Sequence, residues 1–187
     1  MFSLKSVAAG ATALALLATS ATAETVIRIQ SVLGNSSDEV FMLQSFADDV
    51  EGLTGGSVKI EILPAGAVVG PRDIMDAVDA GLVEGGFAWT HYWGGKHPAA
   101  NLFGAPIAGA GVGLDAMSFL AWFQYGGGRE LYDRLWDEMG VNVKGFMLQP
   151  VGPEALGWFP SKIETMDDFR KLRFRAPPGM VGAAYNE

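Results

Sequence analysis

The sequence contains no cysteine and only two histidines, His91 and His97. Without cysteine there is no disulfide framework, thiolate metal site, thiol nucleophile or lipid anchor on a mature N-terminal cysteine. The two histidines lie near Gly94, Gly95 and Pro98, which favours loop residues over metal ligands. The GxSxG, HExxH and P-loop motifs are also missing, so the sequence argues against an enzyme such as a hydrolase or dehydratase.

Positive charge and long apolar runs are scarce. The chain has 13 Lys and Arg against 21 Asp and Glu, a formal net charge of −8, which disfavours nucleic acid as a partner. The apolar stretch at residues 7–18 is shorter than the roughly 20 residues that a membrane span needs. It follows Lys5 and precedes Ala21-Thr22-Ala23, a pattern typical of a secretory signal peptide. We expect residues 1–23 to be removed and the mature protein to be free in the periplasm, with a retained anchor as the alternative.

The chain after residue 23 alternates between strand and helix patterns. Strands are predicted at residues 25–32, 58–62 and 85–89. One helix, with capping side chains at residues 35–38, ends at Gly55-Gly56, and a second runs from Pro71 to Gly81. A strand-helix-strand-helix-strand series with short connections favours a parallel sheet, so the predicted fold class is α/β.

The later part of the chain carries weaker signals. Leu131, Leu135 and Met139 mark one face of a helix, and residues 141–148 form an apolar run that predicts another strand. A short helix at residues 167–170 and a strand at residues 172–175 are expected to follow. The glycines at residues 126–128 favour a tight turn between helices, with an anion-binding cradle as the alternative.

Two stretches have the composition of a small-molecule site. Residues 89–93 leave the carboxyl end of a predicted strand, where open α/β sheets place their ligands. We expect Tyr92 and Trp93 to face a cleft and Trp89 to lie in the core, although a core position is an equal alternative for Tyr92 and Trp93. Asn35, in the capping segment after the first strand, is a further substrate-binding candidate.

The second stretch joins residues 154–159 to residues 173–179. An arginine at the end of a strand, just before a Pro-Gly turn, presents a planar fork of donors that suits a carboxylate. Arg175 is therefore the candidate for the main contact with a substrate carboxylate, and a solvated surface charge is the alternative.

Several motifs, in this order along the chain, resemble the DctP-type solute-binding proteins of TRAP transporters. The resemblance is nearest to the branch that includes 2-oxoacid and lactate binders. The matching segments are LPAGAVV at 63–69, DAVDAG at 76–81, YWGGKHPA at 92–99, GWF at 157–159, DDF at 167–169 and LRFR at 172–175.

The resemblance implies two α/β domains of the periplasmic-binding-protein type (class II-like) that close over one small organic acid. Residues 24–148 would form most of domain one, and residues 149–187 would begin domain two. Residues 179–187 look like the first turns of a helix without a stop signal, so we expect the chain to be an N-terminal fragment with an incomplete fold.

The function implied by the resemblance is capture of a 2-oxoacid, 2-hydroxyacid or similar carboxylate in the periplasm for uptake. The implied partners are the ligand, the TRAP membrane permease subunits and, for the full-length protein, a second copy in a homodimer. The alternative is a sensory module that binds the same solute and reports it to a receptor.

Glu154 departs from the family pattern, because the nearest branch has a glutamine four residues before the tryptophan of its Gly-Trp-Phe motif, at a bound cation. Two carboxylates in one desolvated cleft repel each other, and Arg175 neutralises only one of them. We expect Glu154 to bind Ca²⁺ or Na⁺, with the cation bridging to the substrate, because hard cations prefer oxygen ligands. A Glu154 that points to solvent is the alternative. No cofactor for catalysis is implied.

Overall fold

A computed structural model of the chain describes residues 24–103, 114–148 and 157–174. Within these residues three strands form one sheet: β1 (Thr25–Ser31), β2 (Val58–Leu63) and β3 (Gly85–Phe87). The strand order is β2-β1-β3, and both pairings are parallel. The predicted parallel α/β sheet is therefore confirmed, with strand limits within two residues of those expected.

Helix α1 (Asp38–Leu53) connects β1 to β2. Its first turn is capped by Ser37, whose Oγ accepts a hydrogen bond from Val40 N at 3.3 Å. Val40, Leu43 and Ala47 are buried on the face that packs against β2. The helix ends at Thr54, and Gly55 and Gly56 follow with φ of 60° and 81°, left-handed conformations that glycine adopts without steric cost.

The connection from β2 to β3 begins with a 3-10 turn, Pro71–Asp73, and continues as α2 (Ile74–Asp79). Helix α2 lies directly on β3, since a side chain at position 86 would collide with Ile74 Cγ2. The helix expected from Pro71 to Gly81 is therefore present, with a 3-10 first turn. Ile74, Met75 and Ala77 are its buried residues.

Helices α3 (Ala116–Tyr125) and α4 (Gly128–Met139) form a hairpin joined by a tight turn, as predicted from the glycines. Gly127 has φ of 87°, and a Cβ at Gly128 would lie 2.6 Å from Phe123 Cα. The hairpin and the loops after β3 enclose an aromatic core. This aromatic core consists of Met75, Trp93, Ala100, Phe103, Phe123, Tyr132, Leu135 and Trp136.

Residues 141–148 contain no strand, contrary to expectation. The segment folds back along α4, with Val141 N donating to Trp136 O at 3.3 Å and Lys144 paired with Asp133 at 2.6 Å. Val141, Val143 and Met147 pack against the aromatic core, whereas Phe146 and Leu148 are exposed. A strand needs a neighbouring strand that hydrogen-bonds its backbone. This segment instead packs apolar side chains against a helix.

Residues 157–174 contain the short helix α5 (Met166–Arg170), close to its expected position. Thr165 and Asp168 cap it reciprocally: Thr165 Oγ1 accepts from Asp168 N and Asp168 Oδ2 accepts from Thr165 N. Thr165 Oγ1 also donates to Asp168 Oδ2 at 2.8 Å, and this bond, together with that from Thr165 N, lowers the pKa of Asp168. Residues 172–174, the described part of the last predicted strand, are irregular.

Among residues 24–103, 114–148 and 157–174, the longest helix is α1 with 16 residues. None of the described helices combines the length and the apolar content that crossing a bilayer requires.

Candidate functional site

The carboxyl ends of β1, β2 and β3 lie at one edge of the sheet because all three strands run in the same direction. Residues 32–37, 64–70 and 88–97 leave the strands at this edge. Parallel α/β sheets bind their ligands outside this edge, where the loops diverge and backbone groups are available. We call the three loops the carboxyl rim, and they form the candidate site.

The loop after β3 carries a cluster of rings. The centroid of Tyr92 lies 5.0 Å from that of His91 and 5.8 Å from that of Trp89. All three residues are half-buried. Tyr92 therefore keeps an accessible edge on the rim, as its candidate role requires.

Trp93 differs from the expectation that it faces the cleft. Its side chain is only 7% exposed and packs edge-on against Trp136, with ring centroids 5.9 Å apart. The indole Nε1 donates to Arg72 O at 2.9 Å. Trp93 thus belongs to the aromatic core, which it ties to the loop before α2.

The geometry of the 3-10 turn Thr90–Trp93 explains why Trp93, rather than Trp89, lies in the aromatic core. Residues three apart in a 3-10 turn eclipse each other. Thr90 and Trp93 both point into the core, while Trp89 and Tyr92 share the outer side. Trp89, expected in the core, consequently lies half-buried beside Tyr92.

Thr90 anchors the turn through a buried hydrogen bond to Tyr132 in α4, with 2.8 Å between Thr90 Oγ1 and the phenol oxygen. Burial raises the pKa of Tyr132 to about 12, and the bond to Thr90 opposes that shift. The phenol is therefore held neutral at physiological pH.

Asn35 lies on the rim after β1 and is exposed. It does not cap α1, because Ser37 takes that role. Asn35 instead borders a shallow depression of about 260 Å³ between the start of α1 and the end of β2. The other residues lining this depression are Val40, Phe41, Gln44 and Ile62.

Gln30 is a rim residue that the sequence analysis missed. Its side chain is fully buried near the end of β1 and hydrogen-bonds the backbone of residues 68 and 69. The sequence offered little signal, because the same strand also contains Arg28 and Ser31 and a polar residue there does not by itself predict a buried amide.

Two basic side chains near the rim, those of Lys96 and His97, lie against carboxylates. Lys96 pairs with Asp76 of α2. His97 Nε2 lies 3.1 Å from Glu138 Oε2, while its Nδ1 accepts a hydrogen bond from Ala99 N at 3.2 Å. In the described residues, Lys96 and His97 are thus held by contacts with Asp76 and Glu138.

Arg175 and Glu154 lie outside the described residues. Arg175 follows Phe174, whose ring packs 5.2 Å from Phe169 and 6.1 Å from Phe159. These three phenylalanines form a small cluster around α5, and the neighbouring Trp158 is 97% exposed. Across residues 24–103, 114–148 and 157–174, no group of three or more His, Cys, Asp or Glu side chains is placed to hold a metal ion.

A parallel α/β sheet with aromatic and amide side chains along its carboxyl rim defines a class of small-molecule-binding α/β proteins. Comparison with known families narrows this class. Residues 30–187 match the family described as DctP, bacterial extracellular solute-binding protein, family 7. The chain belongs to this family, which confirms the resemblance found in the sequence.

One curated relative is the monocarboxylate 2-oxoacid-binding periplasmic protein of Nostoc sp. It is 32% identical to this chain over 134 residues, which are 72% of the chain and 35% of the relative. The matched region therefore spans about a third of the relative's length. Its name describes a binding protein, in agreement with the expectation that the chain is not an enzyme.

Solved structures of TRAP periplasmic solute-binding proteins share the fold. An open, ligand-free one from Rhodobacter sphaeroides is 34% identical, with a TM-score of 0.55 over 62% of this chain and 36% of its own. One from Bordetella bronchiseptica with calcium and picolinate is 26% identical, with a TM-score of 0.55 over 63% and 34%. One from Pseudoalteromonas atlantica with sodium and pyruvate is 27% identical, with a TM-score of 0.54 over 63% and 35%.

Proposed function

We propose that this protein is the periplasmic solute-binding component of a TRAP-type transporter and that it captures a small monocarboxylate, with 2-oxoacids as the first candidates. The observation that carries the proposal is the 32% identity, over 72% of the chain, to a relative named for binding monocarboxylate 2-oxoacids. The carboxyl rim supports it, because Tyr92 offers an amphipathic ring edge at the place where α/β sheets bind small molecules.

Within this function each candidate residue has a distinct role. Arg175 supplies the two-pronged, charge-assisted contact to the substrate carboxylate. Tyr92 covers the apolar part of the ligand, with Trp93 supporting it from below, and Asn35 contributes an amide from the loop after β1. Lys96 and His97, near the rim, lie against Asp76 and Glu138. A separate cation, Arg175, is therefore proposed for the substrate carboxylate.

A bound cation is part of the proposed site. Two similar structures contain a cation together with a carboxylate, calcium with picolinate in one and sodium with pyruvate in the other. Glu154 is the proposed ligand on this chain, because a carboxylate binds calcium better than an amide does. The cation then screens the repulsion between Glu154 and the substrate carboxylate.

The remaining proposals concern the whole protein. Residues 1–23 direct export and are cleaved after Ala23. Residues 24–148 contribute most of domain one, and residues 149–187 begin domain two. The delivered solute passes to membrane permease subunits, and the full-length protein forms a homodimer.

The test is isothermal titration calorimetry of the full-length protein with pyruvate, lactate and succinate, each with calcium or sodium present. We expect micromolar or tighter binding of pyruvate or lactate and weaker binding of succinate, whose second carboxylate would lack a partner. Tight binding of succinate alone would replace the monocarboxylate assignment by a dicarboxylate one. Absence of binding to all three acids would contradict the proposed function.

A further inference from the structure

Gln30 places a buried polar side chain near the end of β1. It occupies the sixth position of the seven-residue strand β1, and its side chain is completely buried. A buried amide is costly unless its donor and acceptor are both satisfied.

The amide of Gln30 is directed entirely at the loop that leaves β2. Gln30 Oε1 accepts hydrogen bonds from Val68 N and Val69 N, both at 3.1 Å. Gln30 Nε2 donates to Val69 O at 2.7 Å. One side chain therefore fixes both the donors and the acceptor of this short piece of rim backbone.

The same loop is held at its far end by the 3-10 turn Thr90–Trp93, which we call the aromatic turn. Trp93 Nε1 donates to Arg72 O at 2.9 Å, so the backbone between residues 68 and 72 is bonded to the exits of both β1 and β3. Ala65 N donates to Leu33 O at 3.0 Å and closes the near end against the loop after β1. The three loops of the carboxyl rim are thus connected by polar contacts, with Gln30 at the centre.

We propose that Gln30 is a positioning residue for ligand binding, whose amide holds residues 68–72 and, through Arg72 and Trp93, orients the aromatic turn that carries Tyr92. This inference rests on the proposed function. A rim fixed before the ligand arrives avoids the entropic cost of ordering it during binding, so Gln30 raises affinity without touching the ligand.

Two variants of the full-length protein test this role, with pyruvate as the probe in isothermal titration calorimetry. Gln30→Leu keeps the volume but leaves the backbone groups of residues 68 and 69 without partners, and we expect the Kd to rise at least about tenfold. Gln30→Glu restores both functions of the amide only when its carboxyl is protonated. Because burial raises a carboxyl pKa, this variant should bind almost as the native protein does at pH 5 and lose affinity by pH 9.

Thr54→Val is the matched control. Thr54 Oγ1 donates to Val50 O at 2.8 Å and accepts from Val58 N at 3.2 Å, at the opposite, amino edge of the sheet. This variant should lower the Tm while leaving the Kd for pyruvate unchanged. If Gln30→Leu behaves in the same way, with a lower Tm and a native Kd, Gln30 is only structural and the inference is wrong.

Hydrogen exchange without ligand separates this inference from the proposed function. Failure of the native protein to bind pyruvate would count against the proposed ligand, whereas exchange reports the rim directly. Gln30→Leu should speed amide exchange in residues 65–73 and 89–93 and leave α1 protected. A uniform increase over the whole chain would overturn the positioning role, whatever the ligand proves to be.

Discussion

At the scale of single residues, Glu84 shows how a side chain can extend a sheet beyond its strands. It immediately precedes β3, and its Oε2 accepts from both the backbone N and the Nε of Arg28, each at 2.9 Å. Its Oε1 accepts from Arg28 Nη2 at 2.7 Å. The carboxylate thereby takes the place of a strand carbonyl beside β1. These bonds hold the pKa of Glu84 at about 2, below its ordinary 4.5.

We expect the contact between Glu84 and Arg28 to make the stability of the protein depend on pH in the acidic range. A carboxyl whose pKa is depressed by folding stabilises the native state above its ordinary pKa, and that contribution disappears as the pH falls from about 4.5 towards 2. Glu84→Gln should therefore lower the Tm at pH 7 and flatten the decline of Tm between pH 4.5 and 2. Glu51→Gln, on the exposed end of α1, is the control. Parallel Tm profiles for native protein and Glu84→Gln would contradict the prediction.

Arg175 is the residue on which the proposed carboxylate contact depends. In the full-length protein, Arg175→Ala and Arg175→Lys should each weaken pyruvate binding by at least about 2 kcal/mol, because lysine keeps the charge but loses the planar fork. Calorimetric titration gives the Kd directly. Arg173→Ala is the natural control, since Arg173 is exposed. An unchanged Kd for both Arg175 variants, with a loss in Arg173→Ala, would move the assignment to Arg173.

At the scale of secondary-structure elements, β3 is the shortest part of the sheet and is shaped by its glycines. It has three residues, Gly85–Phe87, and pairs only with the last part of β1. At Gly86 the absence of a side chain allows α2 to rest on the strand through Ile74. This close approach sets where the aromatic turn begins and so links the packing of α2 to the position of Tyr92.

Gly86→Ala should therefore destabilise the protein by about 1–3 kcal/mol, because the added methyl group meets Ile74 in a packed core. Urea denaturation followed by circular dichroism measures the loss. Gly95→Ala is the matched control, since a Cβ there meets nothing within 4 Å. Equal stability of the two variants would show that α2 and β3 are less closely packed than described.

At the scale of the whole molecule, the candidate site is divided between two regions of sequence. The carboxyl rim lies within residues 30–97, whereas Glu154 and Arg175 belong to the second region. The chain spans about a third of the curated relative's length, 35%, so further residues of the full-length protein complete the site in our proposal. In our proposal, charge balance is a property of the assembled cleft, where a cation holds Glu154 and the substrate carboxylate together.

Exhaustive chelation tests this charge balance. In our proposal the full-length protein loses at least about tenfold in affinity for pyruvate when the cation is removed, and calcium restores it, because the bridging ion supplies a direct ligand to the carboxylate. Glu154→Ala should bind weakly with or without calcium. Calorimetry before and after chelation provides the comparison. Full affinity in metal-free buffer would refute the bridge and leave Glu154 as a solvent-facing residue.

The sequence by itself determined the features that depend on local pattern. The alternation Val58, Ile60, Ile62 predicted β2, the caps and glycines predicted the limits of α1, and short connections predicted parallel strands. The ordered motifs predicted the family, which the match over residues 30–187 confirms. These signals are local because strand alternation, helix periodicity and turn conformation each arise within a few residues.

Only the tertiary structure decided the features that depend on neighbours distant in sequence. Residues 141–148 have a strand-like composition, yet they pack against α4 because no strand in the described residues pairs with them. Trp93 lies in the core and Trp89 is half-buried, contrary to expectation, because a 3-10 turn rather than an extended strand follows β3. The buried amide of Gln30 is satisfied because Val68 and Val69 lie beside it in space. Pairing, burial and buried hydrogen bonds are set by which segments meet, and that information is absent from any local stretch of sequence.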